Sequence, residues 1–197
     1  MVYDCFSFFN ELDLLEIRFN ILNSVVDKFI LVEATKTHSN NDKPLYFNEN
    51  KDRFKNFSNK IIHIIIDEYP EYTTSWAFEN NQRNEILRGL VNCKPDDVIM
   101  ISDVDEIPNP LAVKNYTGTG IAMFDQRAYL YFLNYKPVFP IKWNGTRILR
   151  YKSILNNDAE LYEYKYSTFL IEKLNQSTTP TKIRMISNLP IIKKGGW

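Results

Sequence analysis

Residues Asp97–Pro108 read DVIMISDVDEIP, an apolar run that ends in two carboxylates, Asp103 and Asp105, with one residue between them. In an extended chain residues i and i+2 share a face, so this spacing sends both carboxylates out of the strand end together and turns Val104 to the core. Such a pair suits a hard cation, which takes oxygen ligands and is commonly held by one or two carboxylates plus the phosphates of a substrate. The competing reading is a polar strand end in which Asp105 or Glu106 caps the turn before Pro108.

The segment in front favours the first reading. Trp76–Val91 (WAFENNQRNEILRGLV) sets Ile86, Leu87, Leu90 and Val91 at helical spacing, and Asn92–Asp97 is a polar turn containing Pro95. The order is therefore helix, turn, buried strand, Asp-x-Asp. In an open α/β sheet ligands bind outside the carboxyl ends of the strands, where Asp103 and Asp105 would lie. In the Gln82-Arg83-Asn84 stretch, Arg83 can reach a diphosphate with its planar fork; otherwise it is an ordinary solvated helix residue.

Further out, strands and helices alternate. Val2–Phe9 reads as a strand, Asn10 as the cap of a helix running to Asn23, Lys28–Ala34 as a second buried strand and Thr35–Pro44 as a polar loop. Glu49–Phe57 reads as a short helix carrying Arg53, and Lys60–Ile66 as a third strand rich in β-branched residues. Three strands before the Asp-x-Asp strand, with helical patterns between them, predict parallel β-α-β units. After Pro110 the character changes: Gly120–Tyr135 and Trp143–Tyr151 read as long aromatic-rich strands, and Ile183–Ile192 as an apolar stretch interrupted by Pro190.

Composition bounds the rest. The 197 residues are 44% hydrophobic and 24% charged, which fits one globular unit spanning 1–197. Lys plus Arg equals Asp plus Glu at 24 each, so there is no basic field to collect nucleic acid, and anion binding must be local. Cys5 and Cys93 form neither a disulfide framework nor a zinc spacing and are expected to be free thiols. No run approaches the ~20 apolar residues of a membrane span, and MVYDCFSFFNELD is no export signal, so the expected compartment is cytoplasmic. Sequons at Asn56, Asn115, Asn144 and Asn175 are expected in so Asn-rich a chain and do not indicate secretion.

Five blocks in order carry a family resemblance: YDCFSFFNELDLLEIRFNIL at Tyr3–Leu22, VDKFILVEATKTHS at Val26–Ser39, KPLYF from Lys43, the ENNQRNEI helix and SDVDEIP. Together they resemble glycosyltransferase family 17, and the order is similar to the wider GT-A class, in which an Arg-Asn helix precedes a buried strand and the Asp-x-Asp. The resemblance implies an α/β, Rossmann-like domain with a mostly parallel central sheet and helices on both faces. Residues 1–110 would be its nucleotide-binding part and 111–197 its acceptor side. It also implies an inverting, metal-dependent transferase that moves a sugar, N-acetylglucosamine, from a UDP-sugar to a glycan acceptor. On this reading Mn2+ or Mg2+ bridges Asp105 to the donor diphosphate, Asp103 lies near the ribose or the metal, and Glu33, Arg83 and Asn84 contact the nucleotide sugar.

Several residues stay open beside that reading. Glu33 ends the second strand, where it either accepts hydrogen bonds from ribose or uracil or is a strand-end polar group. His38 is a loop residue with at most a donor contact, and His63, flanked by isoleucines, is a packed strand residue. Tyr129, Tyr131, Tyr135 and Trp143 form either a sugar-stacking wall or core. An inverting displacement needs a general base, but no spacing singles one out among Asp125, Glu160 and Glu163. Family members continue past the Gly-Trp at which this chain stops into a His, so the sequence is expected to be C-terminally truncated and poor in turnover. The alternatives are a nucleotide-sugar-binding pseudoenzyme or inactive fragment and, more weakly, a phosphohydrolase, which would need more ligands than Asp103, Asp105 and Glu106.

Overall fold

The computed structural model describes residues 1–69, 74–129, 142–156 and 179–196. Seven strands form one sheet: β1 (Val2–Phe8), β2 (Lys28–Ala34), β3 (Ile61–Ile66), β4 (Val98–Asp103), β5 (Ala122–Arg127), β6 (Lys142–Arg150) and β7 (Ile191–Gly196), in the order β3-β2-β1-β4-β6-β5-β7. The first four pair in parallel, with Phe6 of β1 opposite Leu31 of β2 and Ser102 of β4. β6 runs antiparallel to both β4 and β5, and β5 is parallel to β7, so β6 alone opposes the common direction. The mostly parallel sheet expected from sequence is present.

The apolar runs explain this arrangement. β1, β2 and β4 are buried almost throughout, as strands covered on both faces must be. Alternate side chains feed two cores. Cys5, Ile30, Ile99 and Ile101 pack with Ile86 and Leu90 on one face, while Phe6, Phe29, Leu31 and Met100 pack with Leu15, Phe19 and Leu22 on the other. The second face is covered by α1 (Leu12–Leu22), α2 (Tyr46–Glu49), a 3-10 helix (Lys51–Phe57) and α5 (Pro110–Lys114); the first is covered by α3 (Ser75–Asn84), α4 (Ile86–Gly89), α6 (Tyr151–Leu155) and α7 (Pro180–Met185).

Local differences from the sequence reading have physical causes. Asn10 does not cap α1, which starts at Leu12; the Glu11 carboxylate turns back and accepts from the Phe9 and Asn10 N–H groups. The helix expected over 76–91 is broken at Glu85 into α3 and α4. The break brings Gly89 flush against β2, where a Cβ would meet Ile30 Cγ2 at 2.7 Å. The strand expected over 120–135 is β5, confined to Ala122–Arg127 among the described residues; Tyr131 and Tyr135 lie outside them. The apolar stretch 183–192 divides, its first part ending α7, which Thr179 caps with Pro180 in the first turn, and its last part opening β7 after Pro190. Gly196 has φ +128° and bridges to Pro108, a conformation and a closeness that exclude a Cβ. Cys5 and Cys93 are free thiols, as expected. Among the described residues no helix is long and apolar enough to cross a membrane.

Candidate active site

The chain places β2 and then β3 on one side of β1, and returns to place β4 on the other. A cleft of about 580 Å³ opens at this reversal, outside the carboxyl ends of the parallel strands. Ser7 to Phe9 at the end of β1, Lys36 to His38 beyond β2 and Asp103 to Asp105 at the end of β4 line it, with Glu79, Gln82 and Arg83 of α3 as a wall.

Asp103 and Asp105 both reach the cleft, though not by the strand geometry expected. β4 ends at Asp103 and the next two residues turn, so Asp105 stands exposed on a bend while Val104 is buried. Glu106 closes the turn, its Oε2 accepting the Asp103 N–H at 3.1 Å, so the capping role weighed for that residue coexists with the Asp-x-Asp.

Beneath the turn lies a charge that the sequence reading missed. Arg18 on α1 is fully buried, and its Nη1 donates to the carbonyls of Asp103, Val104 and Glu106 at 3.0–3.1 Å. Its Nε and Nη2 donate to Asp4 of β1 at 2.8 and 2.6 Å, and Nη2 also to Ser102 Oγ at 2.6 Å. A signal was available: Arg18 sits on the stripe of Leu15, Phe19 and Leu22, and an arginine on a buried stripe requires a buried acceptor.

The two aspartates differ electrostatically. Asp103 Oδ1 accepts from Arg83 Nη2 and Oδ2 from Arg184 Nη2, each at 3.1 Å. Burial opposes its ionisation, but Arg184 and then Arg83 outweigh burial and hold the carboxyl below its ordinary range. Among the described residues Asp105 has no such partner. Although the residue is open to solvent, the protein crowding its carboxyl, then Glu106 and Asp103, push its pKa up. Arg83 also donates to Glu79 at 2.8 Å, and its buried Nε has no partner among the described residues.

Arg184, on α7, was not anticipated. It bridges Asp103 to Glu106 Oε1 at 2.9 Å and is set in place by Arg147, whose Nη2 donates to the Arg184 and Ile186 carbonyls. Burial and then the charge of Arg184 bring Arg147 down to about 10.

Two residues expected at the nucleotide face elsewhere. Glu33 is fully buried and does not line the cleft: its carboxylate accepts from the Phe47 N–H at 2.9 Å, the Asn48 N–H at 3.4 Å and His63 Nε2 at 3.0 Å, which anchors the start of α2. A carboxylate at an apolar strand end is drawn to the nearest unpaired helix N–H groups. Asn84 likewise turns from the cleft, its Oδ1 accepting the Thr181 N–H of α7 at 3.1 Å.

The His38 side of the cleft is polar and preoriented. Gln82 Nε2 donates to the carbonyls of Phe8 and Val32, so its Oε1 must face His38 Nε2 at 3.1 Å as an acceptor. In this contact His38 Nε2 is therefore the donor. Lys43 lies over the rings of Phe9 and Tyr46 at 5.4 Å, with its pKa lowered by burial against the pull of Glu33 and Glu11.

The comparison with known families decides what this cleft belongs to: glycosyltransferase family 17 matches residues 1–159. The chain belongs to glycosyltransferase family 17. It is 33% identical over 134 residues to the β-1,4-mannosyl-glycoprotein 4-β-N-acetylglucosaminyltransferases of Homo sapiens and Rattus norvegicus. That match covers 62% of this chain but only 25% of either relative, so the chain corresponds to about a quarter of their length. In fold it is similar to the mannosyltransferase PcManGT from Pyrobaculum calidifontis, solved in complex with GDP-Man and Mn2+, with a TM-score of 0.51 and 12% identity over 98% of this chain and 56% of that one. That likeness makes the family 17 domain GT-A-like in architecture.

The donor atoms of this family 17 site suit a hard divalent cation in part. Asp105 offers a carboxylate that no cationic side chain among the described residues occupies, next to Asp103. Among the described residues no group of three or more His, Cys, Asp or Glu could hold a metal. Two carboxylates with phosphate oxygens and water are a sufficient set for Mg2+ or Mn2+, but not for a metal that needs a protein cage. Asp125 lies on β5, while Glu160 and Glu163 lie outside the described residues.

Proposed function

We propose that this chain forms the donor-binding and catalytic part of a metal-dependent glycosyltransferase, which moves a sugar from a UDP-sugar to a glycan acceptor with inversion. The observation that carries this reading is the cleft at the β1/β4 reversal, lined both by Asp105, whose carboxylate has no cationic hydrogen-bond partner among the described residues, and by Arg83, which donates to Asp103. The relatives' printed activity supports N-acetylglucosamine as the sugar and a mannosyl glycan as the acceptor.

Asp105 and Asp103 are the residues that would hold the cation, which when bound would offset the charge developing on the departing diphosphate. Arg83 reaches the same place and donates charge-assisted hydrogen bonds to phosphate oxygens. Its Nε, without a partner among the described residues, leaves it capacity beyond Glu79 and Asp103. His38, whose Nε2 donates to Gln82, would present Nδ1 to a nucleoside N–H or hydroxyl, and Phe8, Phe9 and Leu14 give that end of the cleft an apolar edge.

A second reading, a donor-binding domain without turnover, is favoured by one feature: both oxygens of Asp103 are already engaged by arginines. Calorimetry separates the two when paired with a turnover assay. Uridine diphosphate is expected to bind only with Mn2+ or Mg2+, and Asp105→Ala to abolish this while the fold persists. Equal binding in excess chelator, or by the variant, would remove Asp105 from the metal site. Cation-dependent binding without hydrolysis or transfer of UDP-N-acetylglucosamine would favour the second reading.

A further inference from the structure

Trp143 does not behave as a core residue. It opens β6, where an aromatic strand residue would ordinarily pack inward, yet it is 47% exposed. Its one polar atom is tied down: the indole Nε1–H donates to Glu106 Oε1 at 3.0 Å, and Glu106 is only 3% exposed. The same carboxylate oxygen accepts from Arg184 Nη2 at 2.9 Å, and that nitrogen also donates to Asp103. Three consecutive hydrogen bonds thus lead from the Asp-x-Asp turn to the indole edge. Two residues along the strand, Gly145 lets Gln126 and Glu106 close on the sheet, where a Cβ would meet Gln126 and, at 3.1 Å, the Glu106 carboxyl carbon. The polar edge of the ring is therefore fixed on a buried carboxylate, and its apolar surface is left to water.

An exposed tryptophan anchored in this way has surrendered its rotamer freedom before any ligand arrives, and so binds without that ordering cost. We propose that Trp143 is the platform on which a pyranose ring of the acceptor stacks, which holds the acceptor hydroxyl toward the donor cleft. The assignment rests on the transferase reading. That reaction needs a sugar acceptor within a ring's length of the metal-binding turn, and the C–H face of a pyranose is the apolar plane that matches an indole. The role is specificity and positioning of the acceptor, and donor binding does not require it.

The test uses the full chain labelled with 15N. Its indole N–H signals come from three tryptophans, and Trp143→Phe assigns one of them by its loss. Mannotriose and chitotriose are titrated separately, and uridine diphosphate with Mn2+ is titrated into the same samples as a report on the donor cleft. One of the two sugars is expected to shift the Trp143 indole signal saturably and more than the other two. Trp143→Ala is expected to weaken that sugar by about tenfold or more, with Trp143→Phe, which keeps a ring, falling between. Unaltered sugar affinity in Trp143→Ala would overturn the proposal, as would failure of both sugars to perturb the indole. If Trp143→Ala also loses uridine diphosphate, the phenylalanine variant decides: loss of both ligands there too would mean that Trp143 is structural. A wild-type chain that binds sugar at Trp143 but no uridine diphosphate would break the donor reading and leave the platform standing.

Discussion

At the scale of the residue, two aspartates separated by one position have opposite fates. The fold disfavours the ionised form of Asp105, through burial first and then Glu106 and Asp103. Its folded pKa lies above the unfolded one, so the penalty is absent below the ordinary carboxylate value and complete above the raised one. Asp105→Asn is accordingly expected to raise the melting temperature at pH 7, with a gain that shrinks as pH falls through the raised pKa; a gain that did not change with pH would assign the effect to packing. Mn2+ is expected to stabilise the wild type and not this variant. Arg83→Ala is expected to weaken uridine diphosphate by about 1.5–3 kcal/mol and uridine much less, by calorimetry on both ligands, because a phosphate contact is charge-assisted.

At the scale of the element, Arg18 joins three pieces of chain: β1 through Asp4, β4 through Ser102, and the turn through three carbonyls. The pair with Asp4 is wholly buried, at 2.6 Å. Removing one partner strands the other charge, so Arg18→Met is expected to cost about 3–5 kcal/mol in urea denaturation, and Asp4→Leu combined with Arg18→Met to recover part of it. Uncompensated carbonyls in the turn should keep the double variant below wild type. If the double variant were no more stable than the single one, Asp4 would not be the charge that Arg18 neutralises.

At the scale of the whole molecule, the cleft is assembled from distant chain. Asp103 meets Arg83 from α3 and Arg184 from α7, and α7 is itself held by Asn84 and the Asn80 carbonyl through Thr181. β2 and β3 lie between β1 and β4 in the chain, so the β1–β4 pairing spans the widest sequence separation in the sheet, and the site is complete only once that pairing is made. Hydrogen exchange should therefore be slowest in β1 and β4, the central buried strands, and uridine diphosphate with Mn2+ should slow exchange in the turn at 104–107 and in α7 together. Protection of the turn alone would show that Arg184 does not couple the two.

By itself the sequence determined what depends on neighbours along the chain. The apolar runs read at 2–9, 28–34 and 60–66 and the run ending in the Asp-x-Asp predicted parallel strands, with the two carboxylates at the carboxyl end of the last, because periodicity is a local property. What each polar side chain faces was decided by the tertiary structure. Glu33 stands at a strand end as expected, yet the start of α2 lies closer to it than the cleft and takes its carboxylate. Asn84 follows Arg83, but one residue is about 100° of helix, and that rotation turns it to α7. Arg18 and Arg184 carry no motif and entered the site because the sheet order brought their helices to the turn at Val104. Spacing along a strand or helix sets a direction relative to that element alone; which acceptor lies in that direction is set by the packing of elements far apart in the chain.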